Sequence, residues 1–178
     1  MGVPKNDQVP SDPALEDQLV AIGRLLGEGP PNDAEPRLHA LVEAHPGNPS
    51  VWAMAARWRQ TLADQPGEAA ALKRLLEIKP DHVGAHGRLA DLLEAAGDLA
   101  EAAPHLKRYA EAKPGKTRIW VRLAQAAEAA GDWPEAEAAW TRVCELYPNQ
   151  IAAAERLTAL RAAAKAPARA LQPPARSR

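Results

Sequence analysis

Glu43-Ala44-His45-Pro46, Glu77-Ile78-Lys79-Pro80, Glu111-Ala112-Lys113-Pro114 and Glu145-Leu146-Tyr147-Pro148 are four versions of one phrase, and their prolines fall at equal intervals along the chain. Each phrase reads as a helix end. Proline lacks a backbone N–H and its ring clashes with the preceding turn, so it stops the helix that runs into it. A fixed period of about 34 residues is the signature of a helical repeat architecture, and it organises the chain before any single element is assigned.

Between consecutive stops lie two helical stretches. In the last unit, residues 119–130 place Trp120, Leu123, Ala124 and Ala127 on one stripe, and residues 134–146 place Ala136, Ala139, Trp140, Val143 and Leu146 on another. Gly131-Asp132 separates them, as Gly97-Asp98 does one unit earlier. The glycines suit a left-handed helix exit, and the aspartates suit caps for the second helix. Glu101 and Glu135, three places on, would complete capping boxes. Pro66 and Pro134 fall in the first turn of that second helix, where a missing N–H removes no hydrogen bond.

These residues resemble the tetratricopeptide repeat, a family whose unit of about 34 residues is built from two antiparallel helices. Trp52 and Trp120 stand at its bulky opening place. Ala55-Ala56, Leu89-Ala90 and Leu123-Ala124 stand at its Leu-Gly pair, and Ala102 and Ala136 at the small place where the helices cross. Leu72, Leu106 and Trp140 fill the large place that follows. The resemblance implies an all-α fold, a right-handed superhelical stack of helix-turn-helix hairpins with four repeats plus a C-terminal capping helix.

The expected organisation is a flexible leading segment (1–13), a degenerate first repeat (14–48), repeats at 49–82, 83–116 and 117–150, a capping helix (151–165) and a disordered basic tail (166–178). In the capping helix Ile151, Leu157 and Leu160 are the apolar positions. The first repeat has Gln18 in place of the aromatic and Pro30-Pro31 in its turn. The second has Arg59 and Glu68 where apolar or small residues are usual, so either the two pair or the register is distorted. Pro36 and Pro104 lie inside second helices, which are expected to begin late or bend.

Composition agrees with an all-helical chain. Roughly a fifth of the 178 residues are Ala, and there is no Phe. A net charge of −1 excludes a uniformly basic nucleic-acid binder. That average conceals a gradient. Residues 1–48 hold three basic and eight acidic side chains, a net of −5, whereas after Glu155 there are six basic residues and no acid. Opposite ends of opposite sign suit head-to-tail self-association, or else merely helix-dipole complementarity and a solvating tail. No apolar leader opens the chain, no run approaches ~18 apolar residues, and Asn6 stands where a myristoylation signal wants Ser or Thr. A cytoplasmic location without membrane insertion is expected, with the periplasm as the alternative if a leader has been removed.

The resemblance places Arg57, Arg88, Asp91, Arg118, Arg122 and Gln125 on the concave groove formed by the first helix of each repeat. Arginine captures carboxylates bidentately, so an acidic peptide or partner protein is the favoured ligand. The competing reading is that these arginines solvate a helix face or pair with Glu94 and Glu128 nearby. Leu19, Val20 and Gly23, with Met54, either give the groove an apolar end, suited to hydrophobic anchors followed by acidic residues, or are covered by the N-terminal segment. Family members that hold chaperone tails use a clamp of Lys and Asn closed by Lys and Arg. Arg118 and Arg122 resemble the closing pair, but Ala53, Arg57 and Arg88 stand where the clamp's Lys and two Asn would be, which speaks against that ligand.

His82 and His86 share a helix face near Asp81, but His86 holds the place of Trp52 and Trp120 and is expected to pack rather than bind metal. Cys144, the only cysteine, is expected to pack between units. With no catalytic constellation, phosphate loop or metal motif, neither an enzyme nor a cofactor is expected. The expected function is a scaffold or adaptor, or alternatively a regulatory or targeting module of a larger enzyme, biogenesis or secretion complex. RNA binding through the tail is disfavoured because the groove lacks aromatic stacking platforms.

Overall fold

The computed structural model describes residues 12–165; the tail and all but the last two residues of the leading segment lie outside that range. Among the described residues every regular element is helical. The elements are α1 (Pro13–Glu28), a 3₁₀ turn (Pro31–Ala34), α2 (Glu35–Ala44), α3 (Pro49–Thr61), α4 (Gln65–Ile78), α5 (Val83–Ala96), α6 (Leu99–Ala112), α7 (Thr117–Ala130), α8 (Trp133–Leu146) and α9 (Ile151–Lys165).

Local chemistry sets the helix ends. Asp12 caps α1 by accepting the N–H of Ala14 at 3.0 Å, so Pro13, assigned above to the leading segment, is the first helical residue. Asp132 caps α8 through the Glu135 N–H. Asp98 makes no side-chain cap bond to α6, against expectation; its backbone carbonyl still accepts the Ala102 N–H. Gly97 and Gly131 have φ of 86° and 74°, the left-handed conformation anticipated for them. At the equivalent place in the preceding repeat stands Ala63, also left-handed at φ 55°. Its Cβ crowds the following carbonyl there, at a cost of ~1–2 kcal/mol.

The two internal prolines behave differently. α2 does begin late, with Pro36 at its second position and the 3₁₀ turn replacing its first turn. α6 does not; it starts at Leu99, the repeat equivalent of the Trp133 that opens α8, and runs through Pro104.

The fold divides into two compact units, residues to Leu92 and residues from Leu93, the division falling inside α5. In the first, Leu15, Ile22, Leu38, Leu41, Val51, Leu72 and Leu75 are buried. In the second, Leu106, Ile119, Leu123, Trp140, Val143 and Leu157 are buried around the small Ala102, Ala124, Ala127 and Ala136. Each large apolar side chain so buried stabilises the fold by ~1.5–3 kcal/mol. In α9, Ala153 and Leu157 occupy the repeat places of Ile119 and Leu123 and are buried with them, so this helix caps the second unit as the opening helix of one more repeat. Ile151, expected on the apolar face, is 72% exposed.

One bond recurs with the period. The indole N–H of Trp52 donates to the Pro46 carbonyl (2.7 Å), His86 Nε2 donates to Pro80 (2.8 Å), and the Trp120 indole donates to Pro114 (3.0 Å). The ring that follows three of the four closing prolines at this fixed offset thus ties the turn to the next helix; after Pro148 the place is Ala154.

Candidate functional site

Three arginines stand at one repeat place: Arg88, Arg122 and Arg156. The Arg122 guanidinium grips Glu94, with Nε 2.9 Å from Oε2. Arg156 grips Glu128 in the same way, Nε lying 2.9 Å from both oxygens. Each pair joins one first helix to the next at the same sequence step. Glu128 also accepts the Trp140 indole N–H at 2.6 Å. The hydrogen bonds from Arg156 are the chief reason its carboxyl is held below the usual glutamate value.

For Arg88 the equivalent acidic place is Gln60, and the ladder takes another route. Arg88 Nε and Nη2 bind Glu68 Oε1 and Oε2 at 2.6 and 2.8 Å. Glu68 sits where the later units have Ala102 and Ala136, and its side chain is 3% exposed. Bidentate capture of a buried carboxylate explains how Glu occupies a place reserved for a small residue. Of the two readings offered for Arg59 and Glu68, the pairing with each other is not formed. Arg59 instead binds Asp64 at 2.7 Å, and Asp64, which caps α4 through Gly67, is held below the usual carboxylate value first by that cap bond and then by Arg59.

The expected groove residues thus fall into two groups. Arg88 and Arg122 bind carboxylates of their own unit, as the competing reading has it for Glu94. Arg57, Arg118 and Gln125 are exposed on α3 and α7, and neither Arg57 nor Arg118 forms an ion pair with a described residue. Asp91 is exposed one turn beyond Arg88. Arg57, Arg88 and Asp91 belong to the first unit, and Arg118, Arg122 and Gln125 to the second.

Within the first unit the apolar positions converge. Leu19, Val20 and Gly23 of α1 face Ser50, Ala53, Met54 and Arg57 of α3 across an open groove of about 450 Å³. Leu19 is mostly core, at 9% exposure, whereas Val20 is 55% exposed at the rim. Gly23 keeps the floor open, since even a Cβ there would lie 3.7 Å from Met54 Cε and 3.9 Å from Arg57 Nη1. An apolar floor and a guanidinium with no ion pair to a described residue are therefore adjacent.

The histidines have structural partners. His82 Nδ1 accepts the Ala85 N–H at 3.0 Å, at the start of α5, and His86 is buried on the Pro80 carbonyl. Cys144 is a free, half-buried thiol on α8. Among the described residues no helix is long and apolar enough to cross a membrane.

Sequence reasoning singled out Glu68 without finding its partner Arg88, and passed over Arg156 as a ladder residue. The signal was present in the regular spacing of Arg88, Arg122 and Arg156 and in the matching interval between Glu94 and Glu128.

Comparison with curated protein sequences gives no match. Among solved structures, the chain is similar to residues 41 to the end of MamA from Desulfovibrio magneticus RS-1, with a TM-score of 0.58, 19% identity and 84% of each chain covered. It is also similar to YrrB, described as a TPR protein with an unusual peptide-binding site, with a TM-score of 0.63, 15% identity, and 89% of this chain and 86% of that one covered. Two sequence profiles, both described as tetratricopeptide repeat, match residues 55–117 and 93–164. Together the matches span residues 55–164, which carry three of the four periodic prolines, both glycine turns and the arginine ladder, and the chain belongs to the tetratricopeptide repeat family.

Proposed function

We propose that this chain is a non-catalytic interaction scaffold whose first unit holds a partner segment in the α1–α3 groove, an apolar side chain of the partner entering between Val20 and Met54 and an adjacent carboxylate meeting Arg57. The observation that carries this reading is the juxtaposition, around one open groove, of an apolar floor with a guanidinium that has no acidic partner among the described residues. A guanidinium left beside apolar surface binds a carboxylate more strongly than one already paired, and the apolar contact supplies the anchor. Arg88 and Arg122, bound within their own units, set repeat spacing and have a secondary part in capture. Membership of a family of interaction modules supports the general role; the acidic ligand rests on Arg57 and the groove.

Selection of peptides from a displayed random library on the whole chain tests the reading. The expected consensus is a large apolar residue next to Asp or Glu, and Arg57→Glu is expected to weaken the selected peptide at least ~10-fold, with Gly23→Leu blocking it by filling the groove. A consensus without an acid, or affinity indifferent to both substitutions, overturns it.

A further inference from the structure

A second cavity lies on another face of the first unit, and it gives a reason for Arg59. At the repeat place of Arg59 the second unit has Leu93 and Ala127, both buried core residues. A cation at a core place is a local departure of the kind that marks function when nothing in the packing requires it. Glu68, the other departure in this repeat, is accounted for by Arg88. Arg59 is held at the surface instead: its pair with Asp64 is 42% and 32% exposed and uses Oδ2, whereas the cap on α4 uses Oδ1.

Arg59 stands at the edge of a cleft of about 470 Å³ walled by α2, α3 and α4. Leu38, His39 and Val42 of α2, Trp52 and Trp58 of α3, and Ala70 and Ala71 of α4 line it. The late start of α2 and the small residues on α4 leave the space. At the same repeat place in the second unit, around Trp120, Ala138 and Arg142, lies a larger but shallower and more open hollow of about 620 Å³, lined from α7 and α8. Gly67 makes room first for the capping Asp64 and then for Arg59, since a Cβ there would overlap Asp64 Oδ2 and lie 2.9 Å from Arg59 Cδ.

We propose that this cleft is a binding site for a small aromatic carboxylate. Its volume is in the range of small-ligand pockets, and it is closed on three sides by helices, which excludes a docking helix ~10 Å across. Two tryptophans in the lining favour a planar ring. The charge at the rim orients the ligand. Arg59 lies 4.5 Å over the Trp58 ring and Arg74 lies 5.7 Å over Trp52, both on the α3–α4 side, while Glu35 stands on the α2 side and repels a carboxylate placed there. The ion pairs that now hold the two arginines, to Asp64 and Glu77, are exposed ones worth ~0–1 kcal/mol, so exchange for a ligand carboxylate is inexpensive.

Titration of the ¹⁵N-labelled whole chain with 2-naphthylacetate, followed through the indole N–H resonances, tests the proposal. Saturable shifts of Trp52 and Trp58 with a sub-millimolar Kd are expected, with Trp120, Trp133 and Trp140 unmoved. The neutral 2-naphthylacetamide is expected to bind at least ~5-fold more weakly, and Arg59→Leu to abolish that preference while leaving the amide unaffected. Ala70→Trp, at an exposed helical position, should fill the cleft without loss of fold and remove binding. No saturable shift at millimolar ligand, equal binding of acid and amide, or retained binding in a folded Ala70→Trp protein would each overturn the assignment. So would tighter binding of a tripeptide ending in Trp than of the free acid, which would make the cleft a chain-terminus site instead.

Discussion

The second unit repeats itself and the first improvises. From Leu93 onward the left-handed turn is glycine, the small crossing place is alanine, and each ladder arginine finds a glutamate on the preceding first helix. In the first unit the turn is Ala63, the crossing place is Glu68, and Arg88 reaches across to that crossing residue instead. The two units show that the repeat tolerates a charge at a core place when a second charge is supplied with bidentate geometry. It also follows that single substitutions at homologous places should have opposite consequences.

The largest effect expected is at Arg88. Its removal leaves the Glu68 carboxylate buried without a counter-charge, and Arg88→Ala is expected to cost ~2–4 kcal/mol, below the full figure for a buried pair because Arg88 itself is 38% exposed. Glu68→Ala installs the residue that the other repeats carry and frees a cation able to reach water, so it is expected to be within ~1 kcal/mol of neutral. Denaturant melts of the two variants and of the double variant measure this asymmetry. Equal losses from the two single variants would break the comparison.

A smaller and oppositely signed pair concerns the turns. Ala63→Gly is expected to stabilise by ~1 kcal/mol and Gly131→Ala to destabilise by a similar amount, read as shifts in Tm of opposite sign. Smaller again is loss of a regular rung: Arg122→Ala removes a pair whose partners are 22% and 24% exposed, and should cost ~1 kcal/mol.

The smallest is an acid limb. Glu128 releases its proton more readily in the folded state than at its ordinary value of 4.5, so its contribution is complete above that value and is lost as pH falls through the lower folded one. Glu128→Gln should flatten the stability profile on the acid side and leave it little changed in slope near neutrality, as measured by melts at stepped pH.

Much of the fold is legible because its determinants are local and periodic. Closing prolines, left-handed glycines and small crossing alanines each act through their own backbone or their own hairpin, so a regular spacing carries them. The site is less legible. Arg88 and Arg122 look like ligand groups because a sequence shows which face a residue takes but not which neighbour from a distant part of the chain lies across from it. The α2–α4 cleft depends on where α2 starts, and that depends on how Pro30, Pro31 and Pro36 divide a turn between 3₁₀ and α geometry, which periodicity does not resolve. Pro104 shows the reverse case, a proline whose local preference gives way to the packing of Leu106 and Ala110.

The bond from each ring to its closing proline has a practical consequence. Trp52 and Trp120 lie in different units, and each holds its indole N–H on the carbonyl that ends the preceding repeat. Their two side-chain resonances are therefore built-in reporters of separate turns, and their hydrogen-exchange rates would show, in an unmodified protein and a single sample, whether the improvised unit opens before the regular one.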